Sequence, residues 1–215
     1  YVIKLHGEVN GAMVSYLERE LEIAHQNNQP AIIDIDTWGG IVTSAGDISN
    51  ILLNTPVETT AYVSNKAVSA GVLLTISCDN VAMSPNSYIG AAETIPNTEK
   101  ILSAWKGMLS TAAIENDRPE DVILAMADSR IIIDSYSEEG ELLTLASRHA
   151  VDLGVSDTLC ENITEVIEYF DLGGTYTIAP YTTSDKVASA ITSTTALDIF
   201  FIIGFAFMII EIFTA

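Results

Sequence analysis

Two strand-to-helix junctions built from small residues, one βα unit apart, constrain this chain more than any other feature. Residues 31–36 (AIIDID) are a β-branched run that ends in Thr37-Trp38-Gly39-Gly40 and passes into a helical stretch over 43–53. Residues 59–63 repeat the pattern, leading to Ala67-Val68-Ser69-Ala70-Gly71 and an apolar helical stretch over 69–77. A glycine pair between strand and helix lets backbone N–H groups face an anionic oxygen with no Cβ in the way. A serine at such a turn holds its hydroxyl at the mouth of the sheet, with the next N–H groups beside it. Alone, Ser69 would read as an N-cap of the helix that follows. Two elbows at the carboxyl ends of neighbouring parallel strands face one crevice, which turns that serine into a candidate acyl-transfer nucleophile.

The remaining pattern extends the same alternation. A strand is expected over 2–5, an amphipathic helix over 14–27 with Val14, Leu17, Leu21 and Ala24 on one side, and a strand over 80–83. Repeated alternation of this kind predicts an α/β fold around a largely parallel sheet. Residues 86–99 read as an active-site loop and 100–115 as a helix. Arg118-Pro119-Glu120-Asp121 opens another helix, with proline at its start and acids in its first turn. Residues 131–136 and 142–145 are expected to form a strand pair ahead of a helix that carries His149, which Gly154 terminates before a further strand.

Composition narrows the function classes. Nine Lys and Arg against 29 Asp and Glu give a net charge of −20, so no basic stripe exists to neutralise phosphates and nucleic acid is excluded as a partner. No Cys, His or carboxylate cluster has ligand spacing, so neither a metal nor another cofactor is implied. Cys78 falls in an apolar run and reads as a core residue; a Cys78–Cys160 bridge is open only outside the cytoplasm.

Three pieces in order carry a family resemblance: Asp36-Thr37-Trp38-Gly39-Gly40, Ala67-Val68-Ser69-Ala70-Gly71, and Val81-Ala82-Met83-Ser84-Pro85 continuing to Ile89-Gly90-Ala91-Ala92. Together they resemble the ClpP/crotonase-type serine peptidases, and most closely their membrane-bound NfeD-type branch. The resemblance covers roughly residues 1–170 and implies repeated ββα units over 1–172. It implies Ser69 as nucleophile and the N–H groups of Gly39, Gly40 and Ala70 as an oxyanion hole. The implied substrate is a hydrophobic peptide segment of a membrane protein, with a stomatin-like protein as candidate partner, and the implied assembly is a homo-oligomer. Trp38 departs from the T-P-G-G usual in such families, which removes the fixed φ of proline ahead of the glycines.

The base is the next requirement, because a serine hydroxyl attacks only when a neighbour takes its proton. The histidines are His6, His25 and His149, none in the segment soon after Ser69 where a ClpP-like triad draws its own. A Ser-Lys dyad with Lys100 follows from the resemblance, since the alignment that places the family lysine there also brings its downstream arginine onto Arg118. Lys106 is the less favoured alternative, Lys66 is expected to point into solvent, and His149 is expected to be a surface or structural residue. A lysine base must be neutral, which requires burial; Ile95, Ile101 and Leu102 are its apolar neighbours in sequence.

Past residue 172 the composition shifts. Residues 173–195 read as a Ser/Thr-rich linker, and 196–213 (ALDIFFIIGFAFMIIEIF) as a transmembrane helix with Asp198 and Glu211 near its ends. Relatives of this type have further membrane helices and often a small β-barrel domain beyond, which implies that the chain is a fragment; because it starts directly in a strand, with no n-region or h-region, a signal peptide is expected to have been removed or never cloned. The scarcity of lysine places the acidic domain on the extracytoplasmic side by the positive-inside tendency. A second function class stays open: a catalytically silent crotonase-like scaffold in a membrane complex.

Overall fold

The structure is a computed structural model that describes residues 1–214. In chain order its elements are β1 (Val2–Val9), α1 (Gly11–Gln26), β2 (Ala31–Gly40), α2 (Val42–Asn54), β3 (Thr59–Val68), α3 (Ala70–Ile76), β4 (Asn80–Met83) and β5 (Tyr88–Gly90). Then come α4 (Glu99–Glu115), α5 (Glu120–Ala125), β6 (Thr144–Ala146), α6 (Ser147–Asp152), β7 (Thr158–Leu159), α7 (Ile163–Tyr169), α8 (Thr183–Thr192) and α9 (Thr194–Thr214). The expected α/β alternation is present.

The sheet runs β1-β2-β3-β4-β7 in parallel. β3 changes partner along its length: Thr60 to Val63 pair with β4, while Lys66 to Val68 pair with β5. β5 in turn pairs antiparallel with β6. Because successive side chains alternate faces, each strand contributes to two cores. Ile3, Leu5, Ile33, Ile35, Ala61, Val63, Val81 and Met83 point to the larger one, under the apolar sides of α1, α2, α3 and α4. Val2, Ile32, Tyr62 and Ala82 point to a smaller cluster closed by Val166 and Ile167 of α7.

Two expectations are corrected. Residues 131–136 are not a strand: they are irregular and end in a turn over 134–136, with Tyr136 N–H donating to Ile133 O. Of the expected active-site loop, residues 88–90 form β5, a strand too short to announce itself by periodicity. Both cysteines are free, Cys78 in the larger core and Cys160 in the smaller one. Being on opposite faces of the sheet they do not pair, and burial pushes the Cys78 thiol up to about 12.

Residues 173–195, linker-like by composition, are largely docked on the domain. Tyr181 packs edge-on against Tyr16 at 5.1 Å, and α8 lies along α1, started by a capping box in which Thr182 and Asp185 satisfy each other's N–H. Apolar residues that hold α8 are few, so polar pairing fixes it: Arg19 grips Asp185 through two bonds of 2.8 and 3.0 Å. α9 contains a stretch, Thr194–Ile212, of mean hydropathy 2.2 and no burial, long and apolar enough to cross a membrane.

Candidate functional site

Ser69 occupies the junction between β3 and α3 with φ 55° and ψ −117°. That conformation is one an L residue adopts only when its surroundings impose it. The imposing contacts are the Ser69 N–H, which donates to Gly90 O at 3.1 Å, and the Ser69 carbonyl, which accepts from Val72 N–H at 3.0 Å. Although Ser69 stands at the N-cap position, its hydroxyl makes no capping bond. The hydroxyl is therefore not used for helix stability and faces a small cavity of about 130 Å³, lined by Gly40, Val42, Ser69, Ala70, Glu93, Thr94, Ile95 and Trp105.

The first elbow closes against the second. A Cβ on Gly39 would lie 2.7 Å from Ser69 Cβ, 3.0 Å from its Oγ and 3.1 Å from Ala70 N, and its φ is +103°. Only glycine fits there. Gly40 is equally confined, by the backbone of Val9 at 2.3 Å. Gly39, Gly40, Ser69 and Ala70 thus meet at one junction. Ala70 N–H, the first of α3, has no acceptor within the helix. Gly39 N–H, by contrast, donates to Thr37 Oγ1 at 2.9 Å, and that hydroxyl donates in turn to Gly7 O at 2.5 Å. Thr37 is a site residue that sequence reasoning missed; its spacing to Gly39 is compatible with a hydroxyl-to-backbone turn, but the link to Gly7 depends on the β1–β2 register.

Thr94 was also missed. The residue lines the same cavity, and its hydroxyl is buried and has no hydrogen-bond partner among the described residues. It lies between two side chains of opposite character: exposed Glu93, and Ile95 with 95% of its surface open. Trp105 closes the cavity floor, its indole N–H donating to Ala92 O at 2.7 Å.

The lysines are placed differently from one another. Lys100 sits exposed in the first turn of α4, outside the residues lining the cavity, with no hydrogen bond from its Nζ to Ser69 among the described residues. Leu102 is buried but Ile95 is open to solvent, so the apolar shell expected around Lys100 is not assembled. Lys106 is committed to Asp128 at 2.8 Å. Lys66 does not point into solvent: its Nζ reaches Asp36 at 2.6 Å and lies 5.1 Å from the Trp38 ring centre. Burial raises the Asp36 carboxyl, but bonds from Lys66 and Asn65 more than offset it and hold it below the usual range. His149 is exposed, stacks edge-on with Tyr136 at 5.2 Å and is not among the residues lining the Ser69 cavity. Among the described residues no three His, Cys, Asp or Glu side chains gather as a metal site.

Residues 1–177 match the family described as NfeD1b, N-terminal domain. The membrane protein NfeD1b of Bacillus subtilis (strain 168) is 29% identical over 222 residues, covering 100% of this chain and 51% of that protein. The membrane-bound protease PH1510 of Pyrococcus horikoshii is 29% identical over 99 residues, covering 44% of this chain and 22% of its own. The chain thus spans about half or less of the curated relatives it matches. Among solved structures, the 1510-N membrane protease specific for a stomatin homolog from Pyrococcus horikoshii superposes with a TM-score of 0.68 at 22% identity, over 90% of this chain and 98% of that one. A lysine-to-alanine variant of 1510-N, in complex with a substrate peptide, gives 0.74 at 20% identity, over 89% and 96%. ClpP1 from Listeria monocytogenes gives 0.61 at 17%, over 75% and 91%. The fold is ClpP-like, and with residues 1–177 matched to its N-terminal domain the chain belongs to the NfeD1b family.

Proposed function

We propose that this chain is the serine endopeptidase domain of a membrane-anchored protein, cleaving hydrophobic segments of membrane proteins, with a stomatin-like protein as the candidate substrate. The observation that carries the proposal is Ser69 itself: an uncapped hydroxyl on a left-handed residue, abutting Gly39 and facing a cavity. In this mechanism Ser69 Oγ attacks the scissile carbonyl as Lys100 Nζ takes its proton, after the 93–99 segment and the first turn of α4 fold inward to bring the amine over the cavity. The carbonyl oxygen, now negative, is received by the N–H groups of Ala70 and Gly40, with that of Gly39 shared with Thr37. The lysine then returns the proton to the departing amine, and water releases the acyl group by the same route. The acidic, lysine-poor domain lies on the extracytoplasmic side, and the chain works as a homo-oligomer, an expectation drawn from the family's fold.

The second reading, a scaffold without catalysis, is favoured by one observation, the solvent-exposed position of Lys100. Incubating the purified full chain with a panel of hydrophobic peptides separates the two. A peptidase loses roughly a thousandfold or more of its rate with Ser69→Ala and orders of magnitude with Lys100→Ala, but retains it with Lys106→Ala and His149→Ala. Equal cleavage by Ser69→Ala excludes Ser69 as nucleophile. Selective loss with His149→Ala excludes the dyad.

A further inference from the structure

Past residue 172 the chain climbs the domain before it leaves. Val2 N–H donates to Thr177 O at 2.9 Å and Ala179 N–H to Val2 O at 2.7 Å, at the amino end of the edge strand β1. α8 then runs antiparallel to α1: Asp185 is held by Arg19 midway along it, and Ser189 lies 3.5 Å from Asn10, its N-cap. At the top, Thr194 N–H donates to both oxygens of the Glu8 carboxylate, at 3.2 and 3.3 Å. Glu8 pairs with Gly39 in the β1–β2 ladder. The first residue of α9 is therefore tied to the carboxyl edge of the sheet, the edge that holds Ser69.

From that point α9 is unburied over Thr194–Ile212, so it stands clear of the domain. The two most exposed large apolar side chains of residues 1–172 are Ile95 at 95% and Trp38 at 69%. Both sit on this edge, Ile95 lining the Ser69 cavity and Trp38 immediately before Gly39. Tryptophan and apolar side chains are at home at headgroup level. The net charge of −20 gives the domain no attraction to anionic lipid, so the orientation is mechanical.

We propose that, with α9 across a bilayer, the docked 177–194 segment turns the carboxyl edge of the sheet toward the membrane surface, so that the Ser69 crevice takes polypeptide leaving or lying on the bilayer. The orientation stands on its own; only the choice of substrate rests on the peptidase reading.

The test uses the full chain in phosphatidylcholine vesicles carrying a headgroup-labelled acceptor lipid. A donor dye is placed at Ile95→Cys on the carboxyl edge or at Asn28→Cys on the amino edge, the two native thiols being buried. Transfer from position 95 is expected to exceed that from 28 several-fold and to be insensitive to salt. Equal transfer, or more from 28, overturns the orientation. Arg19→Glu should abolish the asymmetry by releasing α8, and Arg19→Lys, which keeps the positive charge facing Asp185, should retain it; asymmetry that survives Arg19→Glu removes the docked segment as its cause. A hydrophobic peptide tethered to the vesicle should be cut faster than the same peptide free in solution. Absence of any cutting beside intact asymmetry counts against the peptidase alone.

Discussion

The backbone of Ser69 lies at φ 55° and ψ −117°, which costs an L residue about 1 to 3 kcal/mol and a glycine far less. Ser69→Gly is therefore expected to leave thermal stability unchanged or raise it by up to about 1 kcal/mol. Gly39→Ala, whose new Cβ would meet Ser69 Cβ at 2.7 Å, is expected to cost about 2 kcal/mol or more. Thermal unfolding of both variants followed by circular dichroism checks this; a Ser69→Gly variant that melts below wild type would show an unstrained Ser69, and a Gly39→Ala variant that melts with wild type an unconfined Gly39. The elbows were legible because they consist of small residues at fixed spacing, a pattern that survives without knowledge of the fold. Thr37 and Thr94 were not, since the role of a buried hydroxyl depends on which distant backbone comes within reach. Lys66 misled for the same reason: its partner Asp36 is 30 residues away and becomes a neighbour only through strand pairing.

Among the elements, α8 tests how a polar surface can hold a helix. The Asp185 carboxyl is lowered to about 2, first by its bonds from Arg19, then by those from Thr182, with burial working against them. A carboxylate depressed in the folded state adds stability that is complete above its unfolded value of about 3.9 and is lost as pH falls through the folded one. Docking of α8 should thus weaken between about pH 4 and 2, and Asp185→Asn should remove that part of the acid dependence. Limited proteolysis in the 173–194 region, read across that range in wild type and variant, reports it; identical profiles would assign the docking to Tyr16 and Tyr181 instead. Composition hid α8 because Ser and Thr dominate 173–195, although Thr182 and Asp185 carry a capping signature at readable spacing. The opposite error occurred at 131–136, expected as one half of a strand pair. Asp134 and Ser135 lie in a turn there, Ser135 at φ 71°, and the β5–β6 pair is complete without the segment.

For the whole molecule, attachment and stability should separate on truncation. The full chain is expected in the membrane fraction and resistant to salt extraction, and chains ending at 192 or at 172 should both be soluble. The shorter should melt earlier, because it loses the two bonds to Val2 and the Arg19–Asp185 pair, together about 3 kcal/mol at about 1 kcal/mol each. Equal melting would mean that the 177–192 segment adds nothing to the fold. The change of partner along β3 has a different consequence, in time rather than in space. Its first half pairs with β4 and its second half with β5, which pairs antiparallel with β6, while only Ala67 there still pairs with β2, so the elbow is expected to open with the short β5–β6 ladder while the central sheet stays closed. Amide hydrogen exchange should then show Ala67 to Gly71 exchanging together with Tyr88 to Gly90 and Thr144 to Ala146, and faster than Thr60 to Val63. A uniform rate along β3 would show one cooperative unit; two rates would mean that the crevice breathes on its own clock.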